Sequence, residues 1–420
     1  MKSRFAKAAT ALAFLLSTTL PAMAAAGTAA PPVEVTEDAL VHWVMDHSPR
    51  VAALQTVVEQ ADADVVKARR LPNPEVGWQG GGTVDGTPTN GDAQYTASIG
   101  QPLLLFGQRK ARVAAATAGQ SAAVAQTAAQ RLEVERAARK AFAELQAAQD
   151  RVSSWQETVG ELERVERIVS GRAAAGKKSQ YDVERIRLEL ASQRRALAEA
   201  TSKREEAAGK LAALAGEPGW HPRALGQLKP RGTDTDVDRL WERAQKVLPS
   251  LQASRLGHEA DLAAVESARK EGLPVPELTI GESNTNGPYG VAVTAGVTVP
   301  LPVFDRNQGD IARGLATARG SGLALEADLR EARAQLETSV AVLRERRDAL
   351  KAYERDAMDH VPRLREMAEA FYDNGEGNIV DLLDALETIR DARLGRIEIL
   401  EDLVPAELDV EFAAGLDVKG

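Results

Sequence analysis

The sequence repeats itself once, and this duplication constrains the fold more than any other feature. Motifs of the first half recur about 200 residues later in the same order. The matched pairs are SPRVAAL (48–54) with LPSLQAS (248–254), LPNPEVGW (71–78) with LPVPELTI (273–280), Pro102 and Phe106 with Pro300 and Phe304, and AGKKSQYDVERIRLEL (175–190) with NGEGNIVDLLDALETI (374–389). Four matches in one order at a nearly constant spacing indicate an internal duplication, so the fold is built from two similar units.

Each unit is predicted to contain the same elements in the same order: a helix, a β-hairpin, a very long helix and a return helix. The first helix of each unit, about 37–70 and 238–271, ends before a Leu-Pro pair that cannot continue it. The predicted boundaries are a first repeat at 37–216 with its hairpin at 75–102, and a second repeat at 238–412 with its hairpin at 277–300. The remaining segments are an N-terminal segment at 25–36, a linker at 217–237 and a tail at 413–420.

The strand segments alternate between apolar residues and small or polar ones. Between 289 and 299, tyrosine, valine and alanine occupy one face, while glycine, threonine and alanine occupy the other. This pattern fits either a strand that faces lipid or one in a half-buried soluble sheet. Four strands cannot close a barrel, and open strand edges are not tolerated in lipid. A membrane location would therefore require several chains to share one barrel.

The helical segments are unusually long. No proline lies between Phe106 and Gly176, and apolar residues repeat there with heptad spacing. A helix of this length spans on the order of 100 Å. The second long helix contains Pro362, which predicts a kink. The acidic stretch after Pro405 is expected to pack outside the cylinder that the helices form or to be mobile. These lengths predict a helical cylinder with strands at one end and glycine turns at the other.

The first 24 residues have the features of a signal peptide. Basic Lys2, Arg4 and Lys7 precede an apolar stretch, and Ala22 and Ala24 form a small-x-small cleavage pattern. This segment predicts export. The chain has no cysteine, which excludes disulfides, thiolate metal sites and an acceptor cysteine for a lipid anchor. Its net charge of −9 disfavours nucleic acid as a partner.

Taken together, the motifs resemble the TolC-like outer-membrane factor family, and in particular its heavy-metal members of the cobalt–zinc–cadmium type. The resemblance covers essentially the whole mature chain. It rests on LPNPE (71–75), QPLLLFGQRKARVAAA (101–116), VPLPVFDRNQG (299–309) and the paired hairpins in which an aspartate lies six positions after a glycine.

The resemblance implies a homotrimer in the outer membrane with most of its mass in the periplasm. The fold class is mainly α with a small β part: long coiled-coil hairpins form a periplasmic α-barrel, and four strands per chain contribute to a shared 12-stranded β-barrel. The implied partners are outer-membrane lipid, a periplasmic adaptor (membrane fusion protein) and a proton-driven inner-membrane pump of the resistance-nodulation-division type. The implied function is a passive exit duct with no catalytic residues and no cofactor.

The resemblance also assigns site residues. Asp381 and Asp384 match the acidic ring that narrows the periplasmic end, and Asp182 and Tyr372 match contacts that close it. Gly176 and Gly375 match the hairpin tips where partners dock. Pro102, Phe106, Pro300 and Phe304 mark the strand-to-helix junctions. Some relatives carry an arginine two residues after the tip glycine, but this chain has Gly377 there, with Arg185 as a possible substitute.

Metal ligands are sparse in the sequence. The five histidines are scattered, and His42 and His47 are five residues apart, which is an imperfect spacing for a shared site on a helix. We therefore predict no metal site. Two alternatives to a metal duct stay open at this point: an outer-membrane duct for drugs or other organic solutes, and a soluble periplasmic coiled-coil adaptor.

Overall fold

Long stretches rich in alanine and free of proline fold as long helices. The computed structural model describes residues 31–81, 94–175, 179–285, 290–374 and 376–416. The predicted signal peptide and the tip residues Gly176 and Gly375 lie outside these ranges. From Val33 onward the chain forms a single compact unit.

The first repeat has a short strand, four helices and a β-hairpin. The elements are β1 (Glu34–Val35), α1 (Glu37–His47), α2 (Pro49–Arg69), β2 (Glu75–Gly81), β3 (Gln94–Pro102), α3 (Gln108–Ala174) and α4 (Gln180–Ala215). The 67 residues of α3 extend for about 100 Å at 1.5 Å per residue. This long helix is the element against which most of the others pack.

The linker and the second repeat follow the same order. The elements are β4 (Arg223–Ala224), α5 (Val237–Val247), α6 (Pro249–Glu271), β5 (Glu277–Thr285), β6 (Gly290–Thr298), α7 (Gln308–Asp356), α8 (Val361–Asp373) and α9 (Ile379–Ala414). Strand β4 in the linker pairs in parallel with β1, so the linker is tied to the N-terminal segment. The mainly helical class with a small β part is confirmed.

The prediction of one continuous helix at the start of each repeat is wrong. The helix is interrupted at Ser48 in the first repeat and at Leu248 in the second, where ψ is 125° and 116° respectively. In both places a proline follows, and the proline ring disfavours helical geometry in the residue before it. Each predicted helix is therefore two, with Pro49 and Pro249 in the first turn of the second helix, where proline costs no hydrogen bond.

The predicted kink at Pro362 is a complete break. Helix α7 ends at Asp356, a turn of 3₁₀ helix covers Met358–His360, and α8 begins at Val361. Pro362 again occupies the first turn of the new helix.

The two β-hairpins join into one antiparallel sheet in the order β2-β3-β5-β6. Strand β3 of the first repeat pairs with β5 of the second, with Ile99 opposite Ile280. One face carries the apolar side chains, and Val76 and Val293 on this face are 82% and 81% exposed. Within the described ranges, the apolar face of the sheet is therefore open.

The expectation for the stretch after Pro405 is wrong. Helix α9 continues through Pro405 to Ala414, and Leu408, Val410 and Phe412 are buried. Val410 joins a core cluster with residues of α5, α6 and α7, together with Ala406 and Ala414 of the same stretch. The C-terminal turns of α9 are thus part of the core.

Candidate gate at the hairpin ends

One buried apolar cluster joins four helices: the C-terminal part of α3, the N-terminal part of α4, the end of α8 and the N-terminal part of α9. Its members are Val159, Leu162, Val169, Val183, Ile186, Leu190, Tyr372, Ile379, Leu382, Leu383 and Leu386. The first repeat supplies α3 and α4, and the second supplies α8 and α9. This cluster positions all four predicted gate residues, because each of them belongs to it or to a turn beside it.

Asp381 has a structural role that the sequence analysis did not assign. Its carboxylate accepts a hydrogen bond from the backbone N–H of Asn378 at 2.9 Å, while the Asn378 side-chain oxygen accepts from the N–H groups of Val380 and Asp381 at 2.7 and 3.2 Å. This reciprocal capping box begins α9. The Asn-x-x-Asp spacing in GNIVDLL was the signal that could have revealed it.

Asp384 lies one turn further along α9. Both aspartates are exposed, whereas Leu382, Leu383 and Leu386 on the other side of the helix are buried. The buried side fixes which way α9 faces. The two carboxylates therefore stand on the open side of the helix.

Tyr372 and Asp182 have different surroundings. The Tyr372 ring is buried within its own chain at 4% exposure, and the Arg172 guanidinium carbon lies 5.6 Å from the ring centroid. Asp182 is half-buried in the first turn of α4, where a carboxylate favours the positive end of the helix dipole. Arg185 is exposed, on the same helix.

The glycine at position 377 is required by packing. A Cβ atom there would overlap the ring of Phe371. The N–H groups of Glu376 and Gly377 both donate to the Phe371 carbonyl, at 3.1 and 2.9 Å, and this holds the turn close to the ring. An arginine at this position would have to displace Phe371, which explains the departure from relatives that have one.

The two strand-to-helix junctions are similar but not equivalent. Strand β3 ends at Pro102, whereas β6 ends at Thr298, two residues before Pro300. Phe106 is half-exposed and Phe304 is 93% exposed. Counted from Pro102 to Gln108 and from Pro300 to Gln308, where the next helices start, the second junction contains two more residues than the first.

Each junction is held by its own glutamine, and neither glutamine was predicted from the sequence. The side-chain oxygen of Gln108 accepts from the Phe106 N–H at 3.0 Å, and that of Gln308 accepts from the Arg306 N–H at 2.7 Å. The residue before each glutamine has a left-handed backbone: φ is 84° at Gly107 and 62° at Asn307. The recurring (Gly/Asn)-Gln pair was the available sequence signal.

Two features are absent from the described ranges. No group of three or more histidine, aspartate and glutamate side chains is arranged to hold a metal ion there. No helix within those ranges is both long and apolar enough to cross a membrane.

Long helical hairpins from two repeats, joined to one four-stranded sheet, define a class of envelope channel components. The chain matches the outer membrane efflux protein family over residues 40–217 and 240–416, and it belongs to that family. The outer membrane is therefore its location, with the large helical part in the periplasm, and the soluble adaptor alternative is wrong.

Known relatives extend the comparison along the whole chain. The cobalt-zinc-cadmium resistance protein CzcC of Cupriavidus metallidurans is 27% identical over 435 residues, covering 99% of this chain and 100% of CzcC. The outer membrane protein VceC of Vibrio cholerae superposes with a TM-score of 0.71 at 18% identity, covering 90% of this chain and 96% of VceC. The open state of the MtrE outer membrane channel of Neisseria gonorrhoeae gives 0.71 at 17% identity, with coverages of 90% and 88%.

Proposed function

We propose that this chain is the outer-membrane exit duct of a tripartite efflux system that exports heavy-metal cations. The observation that carries the proposal is the end-to-end similarity to a cobalt-zinc-cadmium resistance protein, which leaves no part of either chain unmatched beyond a few residues.

The unpaired edges of the sheet support a homotrimer. Among the strands that the structure describes, β2 and β6 each have only one neighbour, so each has one unpaired edge there. Unpaired edges are not tolerated in hydrocarbon. Pairing β6 of one copy with β2 of the next satisfies both edges, and three copies give a closed barrel of 12 strands with its apolar face toward lipid.

The partners proposed for the periplasmic end follow from the family. A periplasmic adaptor (membrane fusion protein) and an inner-membrane pump of the resistance-nodulation-division type would load the duct, with the tips near Gly176 and Gly375 as the docking points. The pump would supply the proton-driven work, and the duct would supply only a path.

The two exposed aspartates of α9 are proposed to form the gate. In a trimer they would place six carboxylates around one axis, which attracts cations and repels anions. Crowding of like charges also makes such a ring sensitive to bound cations. Asp182 and Tyr372 are proposed to stabilise the closed arrangement beside this ring.

A deletion strain provides the test of cargo. Loss of the gene is expected to increase sensitivity to zinc, cobalt or cadmium, and a plasmid copy should restore resistance. Unchanged metal sensitivity together with increased sensitivity to dyes or detergents would favour the duct for drugs and other organic solutes. Mass measurement of the detergent-solubilised protein tests the trimer, and a monomeric mass would contradict it.

A further inference from the structure

Contacts made by arginine side chains join the two repeats along the gate half of the molecule. Four of them link α3 of the first repeat to α8 or α9 of the second, between Trp155 and Arg172 on α3. The pairs are Arg390 with Trp155, Arg393 with Glu157, Arg365 with Glu161, and Arg172 with Tyr372. We call this set the arginine ladder. It covers about 25 Å of α3 at 1.5 Å per residue.

Two of the four contacts are ion pairs. A guanidinium nitrogen of Arg393 lies 3.1 Å from Glu157 and 3.8 Å from Glu161. Arg365 donates to the same Glu161 carboxylate from helix α8. Glu161 is mostly buried, so it holds both second-repeat helices against α3 in surroundings where charge pairs are screened less than at the surface.

The other two contacts place a guanidinium against an aromatic ring. The guanidinium carbon of Arg390 lies 5.4 Å from the Trp155 ring centroid, and that of Arg172 lies 5.6 Å from the Tyr372 centroid. Burial would lower the pKa of Arg390, but hydrogen bonds to Glu387 and Asp391 raise it above its ordinary value. Arg390 therefore stays charged, as a cation–π contact requires.

The position of the ladder relative to the gate gives it a consequence. Arg390 and Arg393 are on α9, and the first two turns of this helix contain Asp381 and Asp384. A slide of α9 along α3 would move those carboxylates and would break these contacts. The apolar cluster between the helices resists separation but directs a slide only weakly, because apolar contact is non-directional. Charged contacts have specific partners.

We propose that the arginine ladder fixes the register of α8 and α9 against α3 and thereby holds the gate in its closed position. The arginines act as positioning residues, since their contacts between α3 and the second repeat set where the aspartates stand. This inference rests on the proposed gate. It adds that contacts within each protomer hold the gate closed. The arginines that make them come from both repeats and lie further along the helices than the tip residues.

Conductance in planar bilayers tests the consequence for the gate. Arg365→Gln with Arg393→Gln is expected to raise closed-state conductance several-fold. Arg365→Lys with Arg393→Lys keeps both positive charges and should give a closed-state conductance near that of the wild type. Arg363→Gln is the matched control, since Arg363 is exposed on the same helix, and it should change nothing. Conductance of the double glutamine variant equal to that of the control would overturn the inference.

Spin-label distances test the register itself, independently of conduction. The cysteine-free chain accepts labels at Gly160→Cys on α3, where an added Cβ meets no heavy atom within 4 Å, and at the exposed Thr388→Cys on α9. The double glutamine variant is expected to broaden or shift the distance distribution relative to Arg363→Gln. An unchanged distribution refutes the ladder even if the wild type conducts. A changed distribution in a protein that never conducts supports the ladder and counts against the duct.

Discussion

At the proposed gate, the structure distinguishes a residue with two functions from a residue with one. Asp381 both caps α9 and presents a charge, whereas Asp384 presents a charge without a capping bond. Replacement by alanine would mix loss of charge with loss of the cap, which alone costs about 1 kcal/mol. Asparagine retains an acceptor oxygen for the Asn378 N–H and removes only the charge. It is therefore the informative substitution at this site.

Asp381→Asn combined with Asp384→Asn is expected to raise closed-state conductance and to weaken block by divalent cations. The block constant should weaken roughly tenfold, which corresponds to about 1.4 kcal/mol. Bilayer recordings with added Mg²⁺ measure both quantities. Glu376→Gln changes an exposed acid in the same turn and serves as control. Divalent block that survives in the double variant would remove these aspartates from the gate.

At the scale of elements, helix ends in this protein are set by contacts between chain segments that are distant in sequence. Helix α4 ends at Ala215, and the residue that caps it, Gly216, has a left-handed φ of 77°. The Cα of Gly216 faces the Pro49 ring at the break between α1 and α2. The end of α4 and the break between α1 and α2 thus depend on each other. Ser48 at the same break donates its hydroxyl to the Leu214 carbonyl at 3.0 Å.

Gly216→Ala is expected to lower the free energy of unfolding by at least 1–2 kcal/mol, because a Cβ would both overlap Pro49 and strain a left-handed residue. Gly209→Ala in the middle of α4 is the matched control. It has open space around it and should be neutral or stabilise the protein by up to about 1 kcal/mol. Thermal unfolding of the purified variants measures both. Equal midpoints would show that the contact with Pro49 does not constrain the helix end.

At the scale of the whole molecule, one buried carboxylate joins three distant parts of the chain. Glu407 is 0% exposed on α9 and pairs with Arg347 of α7 at 2.6 Å. It also accepts from the N–H groups of Arg231 and Gly232 in the linker, at 2.5 and 3.0 Å. A buried charge needs several such donors to offset its desolvation. Glu407 therefore fixes the linker onto the second repeat.

Glu407→Ala is expected to destabilise the protein by about 3–5 kcal/mol, because it leaves a partly buried arginine and two linker N–H groups without this acceptor. Glu401→Ala is the control. Glu401 is also on α9 and pairs with Arg151, but it is more exposed than Glu407, so its loss should cost under about 1 kcal/mol. Chemical unfolding of the two variants measures the difference. Similar losses would mean that the linker is held by its apolar contacts.

Much of the fold could be predicted from the sequence, because its signals are local or periodic. The duplication, the long helices, the strand pairs and the break at Pro362 all follow from spacing and from proline chemistry, which act within a few residues. The positions of Asp381 and Asp384 on the open side of α9 follow from the same helical period. Family resemblance added the proposed roles, which periodicity alone does not provide.

Tertiary structure decided what depends on contacts between distant residues. Pairing of β3 with β5, burial of the helix after Pro405 and the arginine ladder each join positions more than a hundred residues apart. Arg365, Arg390 and Arg393 read in sequence as ordinary surface charges, since their neighbours on α8 and α9 do not reveal that α3 lies beside them. Local patterns determine which element forms, whereas a partner is chosen only when packing brings the elements together.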